Sequence, residues 1–163
     1  MLADELIQNF GNKIRVRVMG LLIKDEKLLV INHSGLNDKN TFWSPPGGGL
    51  EFGTNMKINL HREFQEETHL NVKVGDFLFG NEFFNNDFHA IELFFKVDKI
   101  GGKMKLGKDP EMKGEEILKN LKFMTLEEIR ANGKDCYHSV FDKVNTFDEL
   151  FLQKETFYFQ NNP

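Results

Sequence analysis

The chain has 163 residues, of which 40% are hydrophobic and 28% charged, with a net charge of −4. This length suits a single domain over residues 1–163 with a core that needs no staples. The composition excludes a disordered or fibrous protein. No basic stripe is present to neutralise duplex phosphates, and no run approaches the roughly 18 apolar residues that span a bilayer. Neither duplex nucleic acid nor a membrane is therefore an expected partner. The single cysteine, Cys136, excludes an intrachain disulfide and a multi-cysteine zinc site. It points to a reducing, cytoplasmic setting. The opening residues carry Asp4 and Glu5 without a basic end and an apolar run, which is not the pattern of a secretion signal.

Leu2, Leu6, Ile7 and Phe10 recur at helical spacing and Gly11 follows as a stop, so a short amphipathic helix is expected. From Ile14 the pattern alternates: Ile14, Val16 and Val18 on one face, Arg15 and Arg17 on the other. This strand continues through Ile23, and a turn at Lys24-Asp25-Glu26 leads into a second strand, Lys27 to Asn32. His33 to Asn40 is a polar loop. Pro45-Pro46 and Gly47-Gly48-Gly49 cannot lie inside a helix. A helix is expected over Asn55 to Thr68, and strands over Val72 to Phe79 and Ala90 to Val97. A long loop over Lys105 to Lys113 and a short strand at Leu121 to Met124 follow. Thr125 to Glu128 has the capping-box pattern of a helix start. Tyr137 to Leu152 reads as partly helical. The mixture of a hairpin with alternating helices and strands predicts an α/β (mixed α+β) domain, a mixed sheet with helices on its faces.

The informative segment is GGGLEFGTNMKINLHREFQEETHL, residues 47–70. At about 100° per residue, Glu63, Glu66 and Glu67 fall on one side of the helix, within an arc of about 100°. The same arc carries Met56, Leu60 and Leu70, which would pin the helix and leave the acids in a cleft. Like charges this close repel, more so in a shielded groove. A divalent cation would neutralise them, and all-oxygen ligation selects Mg²⁺ or Mn²⁺. Mg²⁺ also takes substrate phosphates, which points to a phosphate-bearing substrate. A backbone carbonyl of the glycine run could complete the shell. The plain alternative is a solvated acidic helix face.

The spacing resembles the signature of the Nudix hydrolases, Gx5Ex7REUxEExGU with U a bulky residue. Gly48 opens the motif, Arg62-Glu63-Phe64-Gln65-Glu66-Glu67 matches REUxEE, and Leu70 fills the last bulky position. Trp43 to Gly49 resembles the usual lead-in. Two positions depart: Thr54 stands at the first Glu and His69 at the Gly. Thr54 cannot pair ionically with Arg62 but could cap the helix. His69 could take the left-handed conformation at some cost. The resemblance implies an α/β/α sandwich and Mg²⁺-dependent cleavage of a nucleoside diphosphate linked to another moiety. It implies Glu63, Glu66, Glu67 and the Gly48 carbonyl as metal contacts, with Arg62 orienting the glutamates. A further acid is expected from Asp109-Pro110-Glu111; Glu111 is the candidate, with Glu115 and Glu116 as competitors. One glutamate, Glu67 or Glu63, would serve as general base. The family resemblance is also compatible with a homodimer.

Weaker signals lie elsewhere. Arg15 and Arg17 could grip a phosphate, or simply be exposed strand charges that discourage edge pairing. Phe83, Phe84, Phe88 and Trp43 could form a stacking platform, although 17 Phe make core packing the simpler role for any one ring. His33, His89 and His138 could contact substrate or be structural. Cys136 reads as a small buried residue. A diphosphate isomerase would need a well-placed reactive Cys, and Cys136 lies far outside the motif. A non-catalytic nucleotide-binding or regulatory module is the alternative that Thr54 and His69 support. Substrate selectivity is expected in the loops His33 to Asn40 and Asn81 to Phe88.

Overall fold

A computed structural model describes residues 2–84, 87–110, 112, 116–153 and 156–159. Helix α1 (Leu2–Phe10) ends at Gly11, whose N–H reaches the Ile7 carbonyl at 2.7 Å. A Cβ at Gly11 would lie 2.5 Å from that oxygen, so only glycine fits this stop. Strands β1 (Ile14–Leu21), β2 (Ile23–Lys24) and β3 (Lys27–His33) follow. Between β2 and β3, Asp25 and Glu26 both have positive φ, 51° and 60°. Such a two-residue turn matches the right-handed twist of its flanking strands. Then come β4 (Phe42–Ser44), β5 (Gly47–Gly49), α2 (Met56–Thr68), β6 (Leu70–Phe84) and β7 (His89–Gly102). Last are β8 (Leu118–Met124), α3 (Leu126–Arg130), two 3₁₀ turns, α4 (Phe147–Phe151) and β9 (Thr156–Tyr158). The capping box at Thr125 is complete, with Thr125 and Glu128 each accepting the other's backbone N–H.

The strands form two sheets. One is mixed, in the order β5-β1-β7-β6-β9, with β1 parallel to β7 and antiparallel to β5. In the other, β3 carries β8 along one edge and β2 and β4 along the other. Strands β6 and β7 run well past their expected ends, because pairing continues through polar positions such as Asn81–Glu92. Register shifts in β6 near Val72 and Phe77 break the alternation that a sequence reading depends on.

Two cores flank the mixed sheet. Leu60 and Phe64 of α2 pack with Val18, Phe95 and Val97 on one face. On the other, Met19, Phe79 and Phe94 pack with Phe141, Phe147 and Leu150 from the C-terminal segment. This is an α/β/α sandwich with a mixed sheet, as the sequence led us to expect. Among the described residues, no helix is long and apolar enough to cross a membrane.

The two faces of β1 alternate as expected, but the arginines are not simply exposed charges. Ile14 and Val16 are 68% and 38% exposed, while Arg15 and Arg17 are half-buried. Arg15 lies over the Phe10 ring at 3.9 Å, and Arg17 pairs with Glu92 of β7. Nor is β1 an edge strand, since β5 and β7 bracket it, so edge protection does not account for its arginines. Trp43 is buried in the second core and is no stacking platform.

Candidate active site

Helix α2 positions most of the site. Its N-cap is Asn55, whose side chain accepts the Ile58 N–H at 3.0 Å; Thr54 is not the cap. The Thr54 hydroxyl instead donates toward the Glu51 carbonyl and the Asn59 side-chain oxygen, each at 3.2 Å. His69 takes the left-handed conformation at the other end, with φ 57°. Leu60 and Phe64 are fully buried and pin the helix, whereas Met56 is 38% exposed. Phe64 sits so close to the sheet that a Cβ on Gly20 would fall 2.4 Å from its ring. The loop after β7 closes the C-terminal end: Lys105, Gly107 and Lys108 donate backbone N–H groups to the carbonyls of Thr68, Glu67 and Glu66. Those carbonyls have no partner within the helix, so the loop satisfies the end that α2 leaves open.

This packing turns Glu63 and Glu67 inward against β5. Glu67 is buried and accepts the Gly47 N–H at 3.0 Å. Burial first, and neighbouring Glu63 next, push the Glu67 carboxyl well above the usual range. Glu63 is buried beside Gly48, where a Cβ would come within 2.6 Å of the carboxylate. Glycine is required there for the backbone to come so near an acid. Glu66 is half-exposed and held by Arg62, whose Nη1 donates to its Oε2 at 2.5 Å. Burial raises its pKa, and Arg62 only partly offsets this. The Arg62 Nη2 reaches Glu63 at 2.7 Å and Glu51 at 3.3 Å. Burial alone would lower the Arg62 pKa, but these three carboxylates outweigh it and the net shift is upward.

The acids lie along a cleft with two connected chambers. The smaller, about 90 Å³, is lined by Gly47, Gly48, Glu63, Glu67 and Asp109. The larger, about 150 Å³, is walled by Phe42, Phe83 and Phe88, with Glu92 and His138 also in its lining. Arg15, Arg17 and His33 border both chambers. The Arg17 Nε is buried without a hydrogen-bond partner among the described residues. Glu92 holds the other end of that guanidinium, Oε1 to Nη1 at 3.5 Å. Its Oε2 accepts from Asn81 at 3.0 Å and from His138 Nε2 at 2.7 Å. The His138 Nδ1 accepts the Val140 N–H, which places the ring proton on Nε2. Burial works to raise the Glu92 pKa, but His138, Arg17 and Asn81 outweigh it and hold the carboxyl below its usual range.

The structure thus gathers Glu63, Glu67, Gly48, Arg15, Arg17 and Phe83 around one cleft. Glu66 is not among the residues lining either chamber and is held by Arg62. Among the described residues, no three carboxylate, imidazole or thiol groups stand close enough to hold a metal ion as they are. The donor set nevertheless fits a hard cation. Glu63 and Glu67 are buried together, Asp109 faces the same chamber, and the glycine backbone leaves them room. Phe84 lines a separate surface hollow beside Phe88 rather than the larger chamber. Glu111 and Glu115 lie outside the described residues. Glu116 accepts from the backbone N–H groups of Leu118 and Asp109. Sequence reasoning passed over Glu51, Asn59, Glu92 and, within its own tripeptide, Asp109. Only the last carried a signal, its place in an acidic loop.

A family model for the NUDIX domain matches residues 13–144. The chain belongs to the NUDIX family. It is 35% identical over 96 residues to an ADP-ribose pyrophosphatase of Methanocaldococcus jannaschii, an alignment covering 58% of this chain. The chain spans about half (56%) of the length of that curated relative. Among solved structures, a NUDIX hydrolase from Nitrosomonas europaea superposes with a TM-score of 0.68 at 18% identity, covering 88% of this chain and 93% of that one. A MutT protein from Methanosarcina mazei gives 0.61 at 18% identity, covering 85% and 91%. These two structural likenesses establish the NUDIX fold.

Proposed function

We propose that this NUDIX protein hydrolyses the diphosphate linkage of a nucleoside diphosphate joined to a second moiety, with Mg²⁺ or Mn²⁺ held by Glu63, Glu66, Glu67 and the Gly48 carbonyl. Asp109 is a further candidate, from the loop in which Glu111 was expected. The observation that carries this reading is the buried Glu63–Glu67 pair at one end of a cleft that passes two arginines and becomes aromatic. Two adjacent buried carboxylates repel, and a divalent cation removes that repulsion. When bound, the cation supplies Lewis-acid polarisation of a phosphoryl oxygen and a water acidified enough to attack.

The chain's own groups do the rest. Arg17, braced by Glu92, and Arg15, laid over Phe10, offer guanidinium groups at the junction of the chambers, where a diphosphate would lie. Phe42, Phe83 and Phe88 supply apolar walls for a base or for the second moiety. Glu67 or Glu63, both at the acidic end of the cleft, would accept the proton of the attacking water. Both departures from the signature are accommodated: His69 adopts the conformation glycine would take, and Glu51 supplies a carboxylate to Arg62.

The test is phosphate release from a panel of nucleoside diphosphate compounds with and without Mg²⁺. The M. jannaschii relative puts ADP-ribose first in the panel. We expect metal-dependent turnover that Glu67→Gln lowers at least about 100-fold. Turnover without metal, or unaffected by the substitution, rejects the reading.

A further inference from the structure

The residues that line both chambers are Leu6, Phe10, Arg15, Arg17, His33 and Leu36. Three of these side chains are apolar, and the two arginines can only donate hydrogen bonds. His33 alone among them can accept one. It ends β3, two positions beyond Ile31 and four beyond Leu29, both fully buried. An imidazole thus stands where the strand's alternation calls for an apolar residue.

His33 is only 7% exposed. Its Nδ1 faces the Phe42 carbonyl at 3.3 Å, and a carbonyl only accepts, so Nδ1 carries the proton. Burial and Arg17 oppose a second proton more strongly than the Phe42 and Ile31 carbonyls favour it, and the ring stays neutral. The Nε2 lone pair remains, with no hydrogen-bond partner among the described residues.

A phosphate oxygen cannot satisfy that lone pair, because both are acceptors. A nucleotide with its phosphates toward Glu63 and Glu67 and its base among the phenyl rings passes the junction with its sugar. The sugar hydroxyls are donors, neither arginine can accept from them, and a desolvated hydroxyl without an acceptor is costly. We propose that His33 is a specificity-determining residue whose Nε2 accepts a hydrogen bond from a ribose hydroxyl of the nucleotide. The inference rests on the nucleotide reading above and adds the sugar to it.

The test is calorimetric titration of the full chain, with Mg²⁺ present, by the α,β-methylene analogue of ADP and by its 2′-deoxy and 3′-deoxy forms. We expect one deoxy form to bind about 5- to 20-fold more weakly than the parent. His33→Asn keeps a donor for the Phe42 carbonyl but has no atom at the Nε2 position, and His33→Phe keeps the ring without an acceptor. In either variant the parent and that deoxy form should bind within about 2-fold of each other. The ratio cancels any general loss of affinity that a merely structural role would cause. A third arm needs no variant: the ¹⁵N resonance of His33 Nε2 should move upfield with the parent and not with the discriminated form. Equal binding of all three compounds by wild type, discrimination that survives in a folded variant, or an unmoved Nε2 resonance overturns the inference alone. Wild-type protein that binds none of the three overturns the nucleotide reading beneath it.

Discussion

His33 sits where the two chambers meet, and its proton affinity follows from that position. Burial chiefly, then the positive charge of Arg17, lowers its pKa from 6.5 to about 4. Its Nδ1 faces the Phe42 carbonyl at 3.3 Å, which suits the neutral ring with the proton on Nδ1. Between pH 6.5 and 4 the unfolded chain takes up a proton that the folded chain refuses. Stability therefore falls as pH drops through this window, by about 3 kcal/mol from this group, and levels off below it. His33→Gln keeps a donor for the carbonyl and removes the titration. The stability difference between wild type and variant, from urea denaturation at several pH values, should shrink by that amount between pH 7 and 4. A constant difference refutes the argument. At this scale the motif residues were legible, because they lie on one short helix with fixed spacing. Glu51 was not, because its partner Arg62 is eleven positions away and a loop decides where the carboxylate arrives.

Among the elements, the loop after β7 matters more than its irregular sequence suggests. Three of its backbone N–H groups cap the last carbonyls of α2, and the same loop brings Asp109 to the acidic chamber. Gly107 is the tightest point, where a Cβ would lie 1.7 Å from the Glu66 carbonyl oxygen. Gly107→Ala must push the loop off the helix. We expect a loss of about 1–3 kcal/mol in thermal or urea denaturation, with weaker Mn²⁺ binding because Asp109 moves as well. A variant as stable as wild type would show that the loop yields freely. Helix α2 and the β2–β3 hairpin could be read from periodicity and turn residues. Strand β9 could not, since three residues, Thr156 to Tyr158, carry no alternation and pair only because β6 offers an edge. Which face of β1 is covered at its start was not legible for a related reason. Apolar residues at Ile14 and Val16 look inward by pattern, yet α1 covers the arginine face instead.

At the scale of the whole molecule, a buried polar link joins the C-terminal segment to the mixed sheet. His138, from the C-terminal segment, donates to Glu92 in the middle of the mixed sheet at 2.7 Å, with both side chains almost wholly buried. His138→Ala removes the shortest hydrogen bond to the Glu92 carboxylate, which keeps Asn81 and Arg17. The expected cost is about 3 kcal/mol, measurable by urea denaturation. A change below about 0.5 kcal/mol would show that water or Asn81 makes up the difference. The layered architecture could be anticipated from the order of elements. The division into two sheets could not, because it depends on which edges β3 offers to β2, β4 and β8, a matter of long-range pairing.

Strand β1 serves as a party wall. Its arginines border both rooms of the cleft, while the acids on one side and the phenyl rings on the other rise from separate stretches of chain. Randomising Phe42, Phe83 and Phe88 alters the furnishing of one room and leaves the other's foundations alone. Descendants of this scaffold can thus drift in what they accept while keeping how they cut it.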